Sequence, residues 1–274
     1  MKIIIPMTGR SLRFKKAGIS IPKQFLEIGS KTVLEHIIKM FPGEKDINLI
    51  VNDDDYNNEN YNIHFKKLEK YKIVSIPFQK SGPGGALLAS GLLETNKAVL
   101  INYCDFSNLW DWEQLKSFIG NNNLDGLIPA YKGLHPHSIY GNDYAFLKTF
   151  KGDVLEIKEK ESFTSQKINE YASTGTYYFK TGSLAKFYLS KIFDSNNLRN
   201  GEAYVSTAYQ DMIDDGLRVK YFHIENFFQW GTPEDYTEFN YNIEEVKNAI
   251  DNKKIDCNKI NLVIPAGGEG KRFK

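Results

Sequence analysis

Apolar positions along the first half of the chain follow two periods. The continuous run Ile3-Ile4-Ile5 predicts a buried strand, and it leads into a turn-rich segment holding Gly9, Arg10, Arg13, Lys15 and Lys16 that closes at Pro22-Lys23. Residues 32–41 place Val33, Leu34, Ile37, Ile38 and Phe41 at helical spacing. Short strands are predicted at 47–51, 72–77 and 98–102, and an amphipathic helix at 61–71 buries Phe65 and Leu68. Residues 52–55 read as a polar loop, 81–85 as a turn cluster and 86–93 as a helix of small residues. Strands alternating with helices in this way predict an α/β fold: a Rossmann-like, mixed, mainly parallel sheet flanked by helices.

The second half changes character. A further strand is predicted at 124–130, but 133–162 is polar and turn-rich, with alternating stretches such as Val154-Leu155-Glu156-Ile157. It reads as a small antiparallel excursion beside the sheet. Residues 172–179 are strand-like, helices follow at 184–193 and 203–215, and 218–224 is another strand. A last helix runs over 233–250, with Pro233 in its first turn and Thr232 as its N-cap. Residues 251–259 are polar and read as a linker. Beyond them, 262–274 (LVIPAGGEGKRFK) matches 3–15 (IIIPMTGRSLRFK) at six of thirteen positions. That is a repeat at domain period, so the expected organisation is one domain over 1–250, a linker over 251–259, and the opening of a second, similar domain at 260–274 of a longer protein.

Composition narrows the partners. Hydrophobic residues at 41% with 25% charged suffice for a sizeable core. Lys and Arg (35) nearly balance Asp and Glu (34), so no global field draws the chain to nucleic acid or membrane and anion binding must be local. Cys104 and Cys257 form no metal or redox spacing. No stretch approaches the ~18–20 apolar residues of a membrane span, and the N-terminal run is too short for a signal peptide. The expectation is a soluble, cytoplasmic protein.

A buried strand that delivers a glycine and several cations onto one loop suits phosphate, because turn N–H groups meet its oxygens and Arg and Lys supply charge. A Walker A loop is excluded, since neither copy has Gly-Lys followed by Ser or Thr, and the first loop lacks Gly-x-Gly-x-x-Gly. Asp105 follows the strand at 98–102, at the carboxyl end where α/β sheets bind ligands; beside a triphosphate it would hold Mg²⁺. Asp53-x-Asp55 is a second acidic pair, read as solvated loop charge. His135-Pro136-His137 lacks acidic or thiol partners at ligand spacing, and no nucleophile triad is present.

Taken together these residues resemble the sugar-phosphate nucleotidyltransferases, the nucleotide-sugar pyrophosphorylases with a glycosyltransferase-A-like fold. The likeness covers roughly residues 1–248. The family's opening loop, close to Gly-Gly-x-Gly-x-Arg and followed by Pro-Lys, matches Gly9, Arg13 and Pro22-Lys23. Its base-holding glutamine and glycine match Gln79 and Gly84, and its metal aspartate matches Asp105. Its Glu-Lys pair matches Glu159-Lys160, its Ala-x-Thr-Gly stretch matches 172–175, and its late Gly-Thr-Pro-Glu matches Gly231 to Glu234.

The resemblance implies transfer of NMP from an NTP to a sugar or polyol phosphate with release of pyrophosphate; a glutamine plus backbone groups can read either pyrimidine edge, and CTP is favoured. It implies Arg13, Lys23, Asp105 and Lys160 at the reaction centre, with Mg²⁺ on Asp105. Thr8, Gly9, Arg10, Gln79, Gly84 and Gly85 would line the nucleotide site, and Glu159, Glu170, Thr174 and Gly175 the acceptor site, under the antiparallel excursion. Relatives opening with Ile-Pro-Met are often found in capsule or surface-polysaccharide synthesis. Two departures stand out. Thr8 and Ser11 stand where family loops usually carry small residues and the second copy has Gly267 and Gly270, and Ser11 lacks glycine's easy positive φ; Gln229 stands where a second metal-binding aspartate is usual. Two other readings stay open: a glycosyltransferase of the same fold using Asp53-x-Asp55 or Asp105, and a non-catalytic partner of the following domain.

Overall fold

A computed structural model describes residues 1–135, 141 and 143–251. The repeat at 260–274, the predicted linker from 252 onward, Cys257 and His137 lie outside the described residues. Fourteen strands are formed among the described residues: β1 Lys2–Met7, β2 Glu27–Ile28, β3 Lys31–Thr32, β4 Ile47–Asn52, β5 Lys72–Ile76, β6 Val99–Asn102, β7 Phe106–Leu109, β8 Gly126–Tyr131, β9 Ala145–Phe150, β10 Asp153–Glu159, β11 Tyr171–Ser173, β12 Thr176–Phe179, β13 Val219–His223 and β14 Asn226–Gln229.

Ten of them make one sheet in the order β11-β9-β10-β13-β8-β12-β6-β1-β4-β5. The half β6-β1-β4-β5 is parallel. β1, β4 and β6 read as near-continuous apolar runs because both faces are covered, so almost no side chain of an alternating pair meets water, whereas β5 at the sheet's edge is only partly buried. Ile3, Ile5 and Met7 pack with Phe14, Leu34 and Ile37 on one face. Ile4 packs with Leu87, Leu189 and Tyr209 on the other. The result is a helix–sheet–helix sandwich.

The other half is mixed. β12 runs antiparallel to both β6 and β8, while β13 runs parallel to β8. The predicted excursion exists as the β9–β10 hairpin, but it is not beside the sheet. β10 pairs with β13 and β9 with β11, so the hairpin extends the sheet itself. The reason is Leu147, Val154 and Ile157, which are buried in the same core as Tyr209.

Helix ends carry the expected chemistry. Thr32 and Glu35 form a reciprocal capping box at the helix Val33–Lys39. Thr232 and Asp235 exchange the same bonds ahead of the helix Pro233–Asp251. Three expectations change. Residues 52–55 are not a loop: Asn52 caps a short helix, Asp53–Tyr56, that buries Asp55. The helix predicted over 61–71 is only Asn62–Lys66. The turn cluster and the small-residue helix are one helix, Gly82–Ala89, with Pro83 in its first turn.

Candidate functional site

The carboxyl ends of β1 and β6, and the segments that follow them, meet at one rim of the sheet. After β1 the chain turns at Ser11, which takes a left-handed backbone (φ +51°) ahead of the helix Leu12–Lys16. This conformation costs a non-glycine residue roughly 1–2 kcal/mol. The compensation is visible: the Ser11 hydroxyl accepts a hydrogen bond from the backbone N–H of Lys23 at 3.0 Å. Serine thus keeps the geometry a glycine would supply and adds a tie between the two halves of the loop that glycine cannot make. Arg10 turns outward, its guanidinium 4.1 Å from the centroid of the Phe78 ring and 3.1 Å from Asp54.

Two clefts open on this rim. One, about 370 Å³, is lined by Thr8, Gly9, Arg10, Lys23 and Gln79 among others. The second, about 400 Å³, is lined by Glu159, Lys160, Thr174 and Gly175 and walled by Tyr144 and Phe227. They share Arg13, Tyr103, Asp105, Glu202, Tyr204 and Gly231. These six residues form a junction where a group bound in one cleft meets a group bound in the other.

At the junction the Lys23 ammonium lies 2.7 Å from the Asp105 carboxylate, both side chains about a quarter exposed or less (19% and 26%). Burial pulls the Lys23 amine down, but Asp105, as charge and as hydrogen-bond acceptor, outweighs it and raises the amine above its ordinary value. The backbone of Asp105 is pinned by the Trp230 N–H at 2.7 Å. Cys104 beside it is buried, and burial pushes its thiol up to about 11, which suits packing rather than nucleophilic chemistry. In the second cleft, burial raises the Glu159 carboxyl, against the opposing effects of the Ser206 hydroxyl and the Lys160 ammonium.

The residues fit a magnesium ion of one particular kind. A Cβ on Gly231 would stand 3.3 Å from Asp105 Oδ2, so the glycine leaves open space against that oxygen. Gln229 lines the same cleft. Yet among the described residues no group of three or more His, Cys, Asp or Glu side chains comes together. One carboxylate, already paired with Lys23, suits a hard cation that arrives with phosphate oxygens as its other ligands.

Most predicted site residues converge here, with exceptions. Glu170 lines neither cleft; its carboxylate accepts from the N–H groups of Phe163 and Thr164 (2.8 and 2.6 Å) and from the Thr164 hydroxyl, which staples that loop. Gly84 and Gly85 face packing rather than open space. Gly84 donates to the Ala203 carbonyl at 2.9 Å, and a Cβ on either glycine would collide with Ala203 or Ser81. Asp53 accepts from the Ser75 hydroxyl and Asp55 is buried against Asn52, and neither lines either cleft. His135 packs among Tyr131, Tyr144 and Phe227. Sequence reasoning missed Tyr103, Glu202 and Tyr204. Asn200-Gly201 just ahead of Glu202 was the available signal, because that dipeptide marks a tight turn.

No family model matches the chain. The 2-C-methyl-D-erythritol 4-phosphate cytidylyltransferase of Neisseria gonorrhoeae is 46% identical over 48 residues, 18% of this chain and 20% of that enzyme. The chain therefore matches about a fifth of the length of that curated relative. Solved structures align over nearly all of it. The nucleoside-diphosphate-sugar pyrophosphorylase from Vibrio cholerae superposes with TM-score 0.66 at 21% identity, over 87% of this chain and 99% of its own. UDP-glucose pyrophosphorylase from Acinetobacter baumannii gives 0.67 at 15%, over 92% and 97%. The inositol-1-phosphate CTP transferase from T. maritima gives 0.63 at 16%, over 89% and 96%. The chain shares the mixed α/β fold of these nucleotidyltransferases.

Proposed function

We propose that the chain transfers a nucleoside monophosphate from an NTP to a phosphorylated sugar or polyol, releasing pyrophosphate. The observation that carries this reading is the junction: two clefts meet at Arg13 and Asp105, with Lys23 on one side and Lys160 on the other. Two phosphorylated substrates brought end to end need such an arrangement of cations. CTP is favoured as donor because the short local likeness is to a cytidylyltransferase and one neighbour in fold is a CTP transferase. The reading includes a product used in capsule or surface-polysaccharide synthesis and a second such domain joined through residues 251–259.

In this reading an oxygen of the acceptor phosphate forms the new bond to the α-phosphorus, and the bond from that phosphorus to the bridging oxygen of pyrophosphate breaks. The acceptor phosphate, with a second pKa near ~6, is already largely ionised at neutral pH and needs no strong base. What remains is positioning and charge neutralisation. Arg13 binds the β- and γ-phosphates, Lys23 the α-phosphate and the acceptor phosphate, and Lys160 the acceptor phosphate. Asp105 would hold Mg²⁺, which would supply neutralisation of the triphosphate charge. The form of the glycosyltransferase alternative that uses Asp53-x-Asp55 loses support, because neither residue lines the clefts, and its Asp105 form is what the pyrophosphate-release assay separates.

The test is a pyrophosphate-release screen of the common NTPs against sugar and polyol phosphates. Release that requires both an NTP and one acceptor supports the reading. No acceptor-dependent pyrophosphate from any NTP, with turnover of a nucleotide-sugar supplied in a parallel assay, would refute it.

A further inference from the structure

Glu202 and Tyr204 enter the junction from a segment with unusual backbone control. Arg199 and Glu202 exchange both N–H···O=C bonds at 3.0 Å, and the residues between them, Asn200 and Gly201, have φ of +53° and +79°. Positive φ at both central positions is the signature of a type I′ turn, which asparagine-glycine favours. The next residue, Ala203, donates to the Ser81 carbonyl at 2.8 Å and accepts from Gly84 N–H at 2.9 Å, which locks it to the loop of the first cleft. One residue past Tyr204, the Val205 N–H donates to the Tyr103 hydroxyl at 3.1 Å. The backbone around Tyr204 is thus held from both sides.

On this mount the side chains form a chain of defined direction. The Tyr204 hydroxyl donates to the Glu202 carboxylate, which leaves its oxygen to accept from the Lys160 ammonium at 2.7 Å. The same ammonium lies 4.4 Å from the centroid of the Tyr204 ring, within cation–π range. Burial and the neighbouring Glu202 raise the Tyr204 hydroxyl well above its ordinary range, so its proton stays in place. Lys160 itself has φ +55°, a conformation non-glycine residues adopt at a cost, and its N–H is bonded to the Tyr144 carbonyl at 3.0 Å. Backbone and side chain together aim a long, flexible amine at one point.

We propose that Tyr204, oriented by Glu202, is a positioning residue that fixes the Lys160 ammonium where the phosphate of the acceptor binds. The identity of that phosphate rests on the proposed nucleotidyl transfer; the positioning itself does not. Lysine carries several rotatable bonds, and an unrestrained ammonium must be ordered each time an anion binds. Tyr204→Phe keeps the ring and its cation–π contact and removes only the hydroxyl, so it cuts the hydrogen-bond tether on the amine without opening a cavity.

The experiment is calorimetric titration with inorganic phosphate, which needs no turnover, on wild type, Lys160→Ala, Tyr204→Phe and the double variant. Tyr204→Phe is expected to weaken phosphate binding by about tenfold, the scale of one charge-assisted hydrogen bond, with the melting temperature preserved. Lys160→Ala is expected to weaken it at least as much, and the double variant no further. Full phosphate affinity in Tyr204→Phe alongside a loss in Lys160→Ala would overturn the positioning role and leave the Lys160 assignment standing. Additive losses in the double variant would also overturn it, since Tyr204 would then act independently of Lys160. Wild-type affinity in Lys160→Ala, or no measurable binding by wild type, would sink both the positioning role and the assignment of Lys160 to the acceptor phosphate.

Discussion

The Lys23–Asp105 pair is the sharpest target, because it serves stability and the proposed chemistry at once. Asp105→Asn keeps the shape of the side chain and removes its charge, leaving the Lys23 ammonium 2.7 Å from a neutral amide. Stranding one partner of a fully buried pair costs about 3–5 kcal/mol, whereas exposed pairs contribute about 0–1 kcal/mol. With side chains 19% and 26% exposed, an intermediate loss of about 2 kcal/mol is expected. At roughly 2–4 °C per kcal/mol for a domain of this size, the melting temperature should fall by about 4–8 °C. The Lys23 amine sits above its ordinary 10.5 in the folded chain, so its contribution is complete at neutral pH and is lost only as pH rises through the elevated value. Melts at neutral pH therefore read the full effect. Lys23→Met and the double variant complete a cycle in urea denaturation, with a coupling of about 1–2 kcal/mol expected. The double variant should recover stability relative to Asp105→Asn yet remain at least a hundredfold slower in pyrophosphate release, as should each single variant. A coupling below about 0.5 kcal/mol, the usual scatter for independent sites, or near-wild-type turnover in either single variant, would refute the reasoning.

Three further outcomes follow from other parts of the site. Ser11→Ala should destabilise by about 1 kcal/mol, the value of the lost bond from Lys23 N–H with the left-handed strain retained, whereas Ser11→Gly loses the bond but relieves the strain and should be nearly neutral; equal urea midpoints for the two would contradict this. Burial lifts the Glu159 carboxyl above 4.5, so the stability present below that value is lost as pH rises through the lifted one. Glu159→Gln should accordingly raise the melting temperature relative to wild type at neutral pH and give no gain near about pH 4; a gain of the same size at both would show that ionisation is not the cause. With its thiol pushed up to about 11 and buried, Cys104 in a Cys257→Ser background should react with a disulfide reagent only in denaturant, and rapid native labelling would contradict the packing described.

The parallel half of the sheet was legible because its strands are continuous apolar runs separated by helical periods, and the opening loop was legible because cations and turn residues cluster within a few positions. Tertiary pairing was not. The β9–β10 hairpin joins the main sheet through β13 and β11, partners far away in sequence, and nothing in its local alternation says so. Asp53–Tyr56 was misread because three aspartates look like solvated charge, although Asn52 with an acidic residue three positions later was a readable helix start. Glu170 is placed at the acceptor site only by the family resemblance, and its commitment to Phe163 and Thr164 emerges only in the fold. Tyr204 and Glu202 matter because the chain brings them to Lys160, more than 40 positions away. Only the Asn200-Gly201 turn that carries them could be read in advance. Ser11 is the opposite case: its departure from a glycine position was plain in sequence, but its compensation required the position of Lys23.

The central claim is that the junction joins two phosphorylated substrates through a displacement at the α-phosphorus. Phosphorus-31 NMR of the reaction with CTP and a responsive acceptor phosphate tests it most directly. A pair of coupled diphosphate resonances linking the α-phosphorus to the acceptor phosphorus is expected, with free pyrophosphate growing in equal proportion. Appearance of CMP or CDP without that coupled pair, at a rate independent of the acceptor, would contradict it.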